Sequence, residues 1–237
     1  MSANLATVST AEKPAAQNVV ALRQVFKSIN AESCPHVYNF HMHTNHSDGQ
    51  LQPELLMKQA IALSLTGFAI TDHHRVSGYQ VAQKWLDHWR NSPEAVGKII
   101  PNFWVGAEIT SQLLETEVHI LGFAFDPKHS VIGPYLQGEA PKGEAAEATQ
   151  VISAIHQAGG LAVLAHPVRY RRSPDDLIPA AVSCGIDGVE TYYAYNNPKP
   201  WRASPTETQR VRQLSDRHQL LNTCGTDTHG SSLLQRI

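Results

Sequence analysis

Two histidines one residue apart, His41 and His43, close an apolar stretch at 37–43. On an extended strand, side chains two apart share a face. Two neutral imidazoles so placed suit a borderline divalent ion such as zinc, manganese or iron. The same residue types recur at the ends of later apolar runs: His73 in Thr71-Asp72-His73-His74, Glu108, His119 in Glu117-Val118-His119, His166 before Pro167, and Asp227 with His229, which repeats the opening spacing. Asp48 stands just past His43 in Ser47-Asp48-Gly49, a position that ordinary turn chemistry also explains. Of His73 and His74 only one imidazole easily faces a common centre, and His73 is favoured. Glu108 has two oxygens with which to bridge cations. His119 lies inside a strand-like run, where a lone histidine is more often a hydrogen-bonded core residue, and its company raises the metal reading. The expected chemistry is a multinuclear metal site.

Residues so far apart in sequence need a scaffold that aims them at one place. Strand-like runs fall at 37–43, 67–72, 102–109, 117–125, 161–166, 186–193 and 220–226, with helical patterns between most of them. Val19, Leu22, Val25, Phe26 and Ile29 predict a first helix, within an N-terminal segment 19–36, that caps the bottom of a barrel. A second helix begins at about Pro53 with Glu54 beside it and a stripe of Leu55, Leu56, Ala60 and Leu63. Another, from about Glu144, carries Val151, Ile152 and Ile155 on one face and stops at Gly159-Gly160. Residues 126–143, rich in Pro, Gly and Lys, read as a loop or small lid. The alternation predicts the α/β class with a parallel sheet, open or closed into a barrel, and in such sheets chemistry collects at the carboxyl ends of the strands.

The 237 residues fit one domain at 37–237, preceded by residues 1–18 as a disordered leader. Nineteen basic against 21 acidic residues leave a formal charge of −2, which argues against a stable nucleic-acid tract held by phosphate contacts. The three cysteines are scattered without a CxxC pair, so a reducing compartment is expected. No apolar run is long enough for a signal-peptide core or a membrane span, and a soluble cytoplasmic protein is the expectation. Dinucleotide, P-loop and nucleophile-elbow motifs are missing. Arg169-Tyr170-Arg171-Arg172 is either a solvated loop or, through Arg169, a clamp for phosphate. Glu190 is either a support beneath the ligands or structural.

Taken in order, His41-Met42-His43-Thr44 with Ser47-Asp48-Gly49, Ala69-Ile70-Thr71-Asp72-His73, Glu108, Glu117-Val118-His119-Ile120-Leu121-Gly122, Ala165-His166-Pro167 with Arg169-Tyr170, and Gly225-Thr226-Asp227-Thr228-His229-Gly230 resemble the PHP (polymerase and histidinol phosphatase) family of metal-dependent phosphoesterases. The branch most resembled acts on nucleoside 3',5'-bisphosphates and short RNA. The resemblance implies a distorted, TIM-like (β/α)7 barrel with up to three divalent ions (Mn, Zn or Fe, with Mg admissible). It implies one ion on His41, His43, Glu108 and Asp227, a second on Glu108, His119 and His166, and a third on Asp48, His73 and His229. His74 stands where the branch usually has Asp, His46 is an additional imidazole that competes for the third ion, and the segment after His229 is short.

The activity so implied is hydrolysis of a phosphomonoester or terminal phosphodiester by a metal-bound hydroxide, on a small phosphorylated substrate such as a nucleotide or short oligonucleotide. Arg169 would add charge at the phosphate, and His73 or His229 would protonate the leaving alcohol. Two other readings stay open: an amidohydrolase-type metal hydrolase, against which the lack of a strand-end lysine speaks, and a non-catalytic metal- or nucleotide-binding regulatory module.

Overall fold

A computed structural model describes residues 15–237. The Asn18 side chain accepts a hydrogen bond from Ala21 N at 2.9 Å and caps α1 (Val19–Ser28). Leu22 and Phe26, one turn apart, are buried on its inner face. Phe26 meets Phe40 and Phe123 edge-on at 4.9 and 5.5 Å, so α1 seals the barrel floor as its periodicity predicts. Just ahead, Ala15–Gln17 make one 3-10 turn whose Ala16 carbonyl accepts from Val105 N. Of the expected leader 1–18, residues 1–14 lie outside the described residues, while 15–18 are held by this bond and by the cap. The helix ends at Ser28 because Ile29 turns extended, and turns occupy most of 29–36.

The remaining elements are β1 (Tyr38–Asn39), α2 (Pro53–Ala62), β2 (Gly67–Ala69), α3 (Ser77–Trp89), β3 (Asn102–Trp104), β4 (Gly106–Leu113), β5 (Thr116–Phe123), α4 (Ala148–Gln157), β6 (Leu161–Leu164), α5 (Pro174–Ser183), β7 (Gly188–Tyr192), α6 (Pro205–Arg217) and β8 (Leu221–Cys224). They form a parallel sheet β1-β2-β3 and a mixed sheet β4-β5-β6-β7-β8. β3 and β4 are two pieces of one strand position, because Ala69 pairs with Trp104 and His73 with Glu108 in the same register. At the other seam, Phe40 N donates to Cys224 O, Asp227 N to His41 O and His43 N to Thr228 O. Seven strand positions thus close into a ring, the distorted (β/α)7 barrel expected.

The expected all-parallel sheet is corrected at one strand. β5 runs antiparallel to both β4 and β6. Only Leu114 and Glu115 separate β4 from β5, both at positive φ (50° and 57°), which makes a tight hairpin turn and leaves no room for a crossover helix. Two helices also differ at their ends. Glu147 is extended, so the helix expected from Glu144 starts as a 3-10 turn, Gly143–Ala146, and becomes regular at Ala148. The expected loop 126–143 contains a 3-10 turn, Gly133–Leu136, that buries Tyr135 and follows the buried Ile132.

Strand alternation sorts the core into two clusters. Phe68, Ile70, Ala107, Ile109, Val118, Ile120, Ala162 and Leu164 face outward beneath the helices. Ala69, Trp104, Leu121, Phe123, Leu161 and Val163 point into the barrel with α1 below them. On β5 the inward sequence changes from Phe123 and Leu121 to His119 toward the opposite end, where Glu108 of β4 and Glu190 of β7 also turn inward to meet imidazoles. No helix among the described residues is long and apolar enough to cross a membrane.

Candidate metal centre

Glu108, the third residue of β4, is fully enclosed and stands at the middle of the rim. Its Oε2 lies 3.0 Å from both His41 Nε2 and His43 Nε2, and its Oε1 lies 2.7 Å from His119 Nδ1 and 3.3 Å from His166 Nε2. The two oxygens thus face two different groups of imidazoles, which is the geometry a bridging carboxylate requires. Asp227 Oδ1 completes the first group at 3.4 Å from His41 Nε2 and 3.2 Å from His43 Nε2. A tetrahedron of ordinary Zn–N and Zn–O bonds has ligand-to-ligand edges of about 3.3 Å. His41, His43, Glu108 and Asp227 fit an ion on that measure.

The hydrogen bonding points the same way. Neither ring nitrogen of the wholly buried His43 makes an aligned hydrogen bond, even though Nε2 lies close to the Glu108 and Asp227 carboxylates, an expensive arrangement for a polar ring. His41 turns its other nitrogen, Nδ1, to Glu190 Oε1 at 3.0 Å, the outer contact that orients a ligating imidazole. Burial alone would lower the pKa of both rings, yet Glu108, Glu190 and Asp227 hold His41 well above its ordinary value, and Asp227 and Glu108 carry His43 up to about 9. Burial likewise opposes the charge on Glu108 and Asp227, but the surrounding imidazoles keep both carboxyls well below the usual carboxylate range. The site holds its acids ionised, ready to bind cations.

Two further sets of donor atoms converge: His43, Asp48, His73 and His229, and His73, Glu108 and His119. Asp48 Oδ2 is 3.1 Å from His229 Nε2 and 3.7 Å from His73 Nε2. His73 is pushed down to about 4 by burial and by its neighbours His43 and His119, so its ring is neutral and able to ligate. The resemblance groups His166, rather than His73, with Glu108 and His119. Here His119 takes the nearest place on Glu108 Oε1, and His166 lies beside that oxygen without joining the mutually close set.

Local sequence explains the placement. The antiparallel direction of β5 brings its N-terminal half, with His119, to the end where parallel strands finish, so a residue that looks interior reaches the rim. Its backbone N–H donates to Tyr170 Oη at 2.8 Å. The turn carrying Asp48 is held by buried Asp72, which accepts from Thr44 N, Thr44 Oγ1 and Ser47 Oγ at 2.7, 2.7 and 2.9 Å. Gly78 makes this possible, since a Cβ there would fall 2.0 Å from Asp72 Oδ2. The His46 ring turns away to Ser77 Oγ at 2.8 Å and does not compete for the third set. The His74 ring leaves the centre for Thr110 Oγ1 at 3.1 Å.

Asp227 has a second face that sequence reasoning missed. Its Oδ2 accepts from Tyr193 Oη at 2.6 Å, Arg236 Nε at 2.8 Å and Arg169 Nη1 at 2.9 Å. Arg169 is part-exposed and Arg236 is mostly enclosed, and both line the cavity. Arg236 reaches the rim because the segment after His229 folds back, its carbonyl accepting from His229 N and Gly230 N. No spacing in the sequence announces that fold-back. Tyr193 stands one residue after β7, and its hydroxyl is kept protonated by burial and by the Asp227 carboxylate.

The rim opens on a cavity of about 150 Å³ lined by Asp48, His73, Glu108, His119, His166, Arg169, Asp227, His229 and Arg236. That is the space of roughly five waters, enough for ions and one phosphoryl-sized group, with any larger remainder of a ligand outside. A larger cavity of about 450 Å³ between α3 and β3 contains no comparable cluster of imidazoles and carboxylates.

A family model for the PHP domain matches residues 39–159. Over 109 residues the chain is 28% identical to the 5'-3' exoribonuclease Rnm of Salmonella typhimurium, a match covering 46% of this chain and 34% of that protein. Over 84 residues it is 32% identical to a phosphoribosyl 1,2-cyclic phosphate 1,2-diphosphodiesterase of Eggerthella lenta, covering 35% of this chain and 29% of the other. In each case the match spans well under half of the relative's length. Among solved structures, an amidohydrolase from Chromobacterium violaceum with bound sulfate and no metal superposes with a TM-score of 0.65 at 20% identity, covering 81% of this chain and 87% of that one. At that identity the likeness speaks for the fold.

Proposed function

The chain belongs to the PHP domain family, and from that membership and the rim geometry we propose that it is a metal-dependent phosphoesterase acting on a phosphomonoester or terminal phosphodiester. The substrate class is a nucleotide or short oligonucleotide, and residues 37–237 form the catalytic domain. The observation that carries the reading is Glu108, whose two oxygens face two separate groups of imidazoles. His41, His43, Glu108 and Asp227 would hold one ion, Glu108 and His119 with His73 or His166 a second, and Asp48, His73 and His229 a third, each Mn, Zn, Fe or Mg. Divalent ions bound there supply a water of lowered pKa and positive charge for the phosphate oxygens.

The chain's own residues do the rest. The Arg169 guanidinium shares one nitrogen with Asp227 and Tyr193, and its remaining donors, which bond to no other side chain among the described residues, can grip a phosphate oxygen at the mouth. Arg236 on the same carboxylate adds a second positive charge. His229 stands part-exposed at the mouth, where its ring could pass a proton to the departing alcohol in a state in which it does not hold the third ion. The small enclosed volume favours a terminal phosphate over one in mid-strand, since a flanking nucleotide on each side has no enclosed place. Two relatives named for cleaving RNA or a cyclic phosphate diester support the phosphate reading.

Purified protein with Mn²⁺ is expected to release phosphate or nucleotide from p-nitrophenyl phosphate, mononucleotides or short RNA, and to leave amides under the same conditions intact. His41→Ala is expected to reduce turnover by orders of magnitude. Cleavage of amides in preference to phosphate esters, or an unchanged rate in His41→Ala, would discard the proposal.

A further inference from the structure

One fully buried acid lies below the proposed ligands and belongs to none of the convergent donor sets: Glu190, in the middle of β7. Its Oε1 is 3.0 Å from His41 Nδ1, and its Oε2 accepts from the backbone N–H of His166 at 2.8 Å. One carboxylate thereby touches two strand ends at once, that of β1 and that of β6. His166 is held at φ 26°, a conformation a β-carbon residue resists, and the Glu190 bond is one of the contacts that keeps it there. The reach across the barrel depends on Gly225, where a Cβ would fall 2.2 Å from His41 Cβ and 2.9 Å from Glu190 Oε1.

Resting on the reading of the rim as a metal centre, we propose that Glu190 is a positioning residue that fixes His41 as its Nδ1–H form, so that Nε2 presents its lone pair to the ion, and anchors His166 in the same act. The argument is one of donors and acceptors. A carboxylate accepts at both oxygens, and here each oxygen meets an N–H. An amide of the same shape cannot serve both. If its oxygen takes the His41 proton, its NH₂ confronts the His166 N–H. Turned over, its NH₂ donates to His41 Nδ1 and drives the ring proton to Nε2, where the ion belongs. The charge of Glu190 also raises the basicity of the imidazole it holds, as outer carboxylates do behind metal-ligating histidines.

Imidazole ¹⁵N spectra of the Zn²⁺-loaded full chain, recorded against a graded chelator, read each ligand separately. In the wild type His41 is expected as Nε2-metallated with a slowly exchanging Nδ1–H. In Glu190→Gln the His41 ligation signal is expected to vanish at chelator concentrations about 10- to 100-fold lower, while that of His229, in the Asp48 set, persists as in the wild type. Equal retention of His41 in both proteins overturns the proposal, as does a parallel loss of His41 and His229, which marks general damage to the barrel. Where Glu190→Gln does not fold, the wild-type spectrum decides alone: His41 found metallated through Nδ1, or without its Nδ1 proton, overturns the proposal. A wild type with no metallated imidazole sinks the metal reading beneath it, a result visible before any substitution is made.

Discussion

Carboxylates at opposite ends of this barrel, the half-buried Asp187 at the floor and the buried Glu108 and Asp227 at the rim, are finished in different ways. At the floor, Asp187, just before β7, accepts from the Arg23 guanidinium at one oxygen and from His156 Nε2 (2.7 Å) and Ala162 N (2.9 Å) at the other. Burial would raise its carboxyl, but His156, the Ala162 N–H and Arg23 hold it below the ordinary value. The chain itself supplies every partner named here. At the rim, Glu108 and Asp227 face imidazoles that are crowded among themselves, with His43 lacking aligned partners at both ring nitrogens and His166 at Nδ1. The rim also holds His74, His166 and Asp227 at positive φ (51°, 26° and 53°), conformations costing about 1–3 kcal/mol each. The floor acid is matched by partners from the chain, whereas the rim leaves ring nitrogens without aligned partners, which is the pattern the proposed cations would complete.

The sharpest way to break that contrast is to exchange one acid at each end. Glu108→Gln is expected to lower kcat/KM on a chromogenic phosphodiester by about 10³-fold, the loss of several kcal/mol of charge stabilisation in the transition state. Asp187→Asn is expected to stay within about twofold of the wild type per folded molecule, because no reacting group touches it. Comparable losses in the two variants would mean that the ends are not functionally separate. The next effect is thermal. A divalent ion at a hundredfold excess over its Kd stabilises a binding-competent fold by about 2.7 kcal/mol, or roughly 5–10 °C for a chain of this size. Differential scanning fluorimetry should record that rise in the wild type and in Asp187→Asn, its reversal by chelator, and a much smaller rise in Glu108→Gln. A full-sized rise in Glu108→Gln would remove the bridging role proposed for that carboxylate.

How far such contrasts can be read without coordinates depends on whether spacing or tertiary path sets the contact. His41 and His43 are legible because strand alternation alone puts them on one face, even though the regular ladder of β1 ends at Asn39. His119 is legible only in company: the two-residue link Leu114-Glu115, which reverses β5, also decides that its N-terminal half lies at the rim. The alternation of strand-like runs and helical patterns makes the barrel legible, but the direction of β5 depends on turn chemistry that a hydrophobic pattern does not carry. Arg236 and Tyr193 are illegible for another reason. Both act through Asp227 Oδ2, and nothing in a sequence says which oxygen of an aspartate remains for a second partner. His46 shows the converse, a histidine in the right stretch of sequence whose ring is claimed by Ser77. At the floor, Asp187 carries no motif at all, because Arg23 and His156 arrive from helices far along the chain.

The smallest expected effect tests whether charge is what the floor acid contributes. In chelator, at neutral pH, Asp187→Asn is expected to cost about 1–3 kcal/mol by urea unfolding, since an amide cannot accept from three donors as a carboxylate does. The folded carboxyl is held below its unfolded value, so its stabilisation is complete above the unfolded pKa, about 4, and is lost as pH falls through the folded value. The gap between wild type and Asp187→Asn should therefore close progressively as pH falls below about 4. The rim acids titrate in both proteins and cancel in the difference, which isolates the floor. A gap that stays constant to pH 3 would show that Asp187 acts through shape and neutral hydrogen bonding, and the two ends of the barrel would then differ in more than the origin of their positive partners.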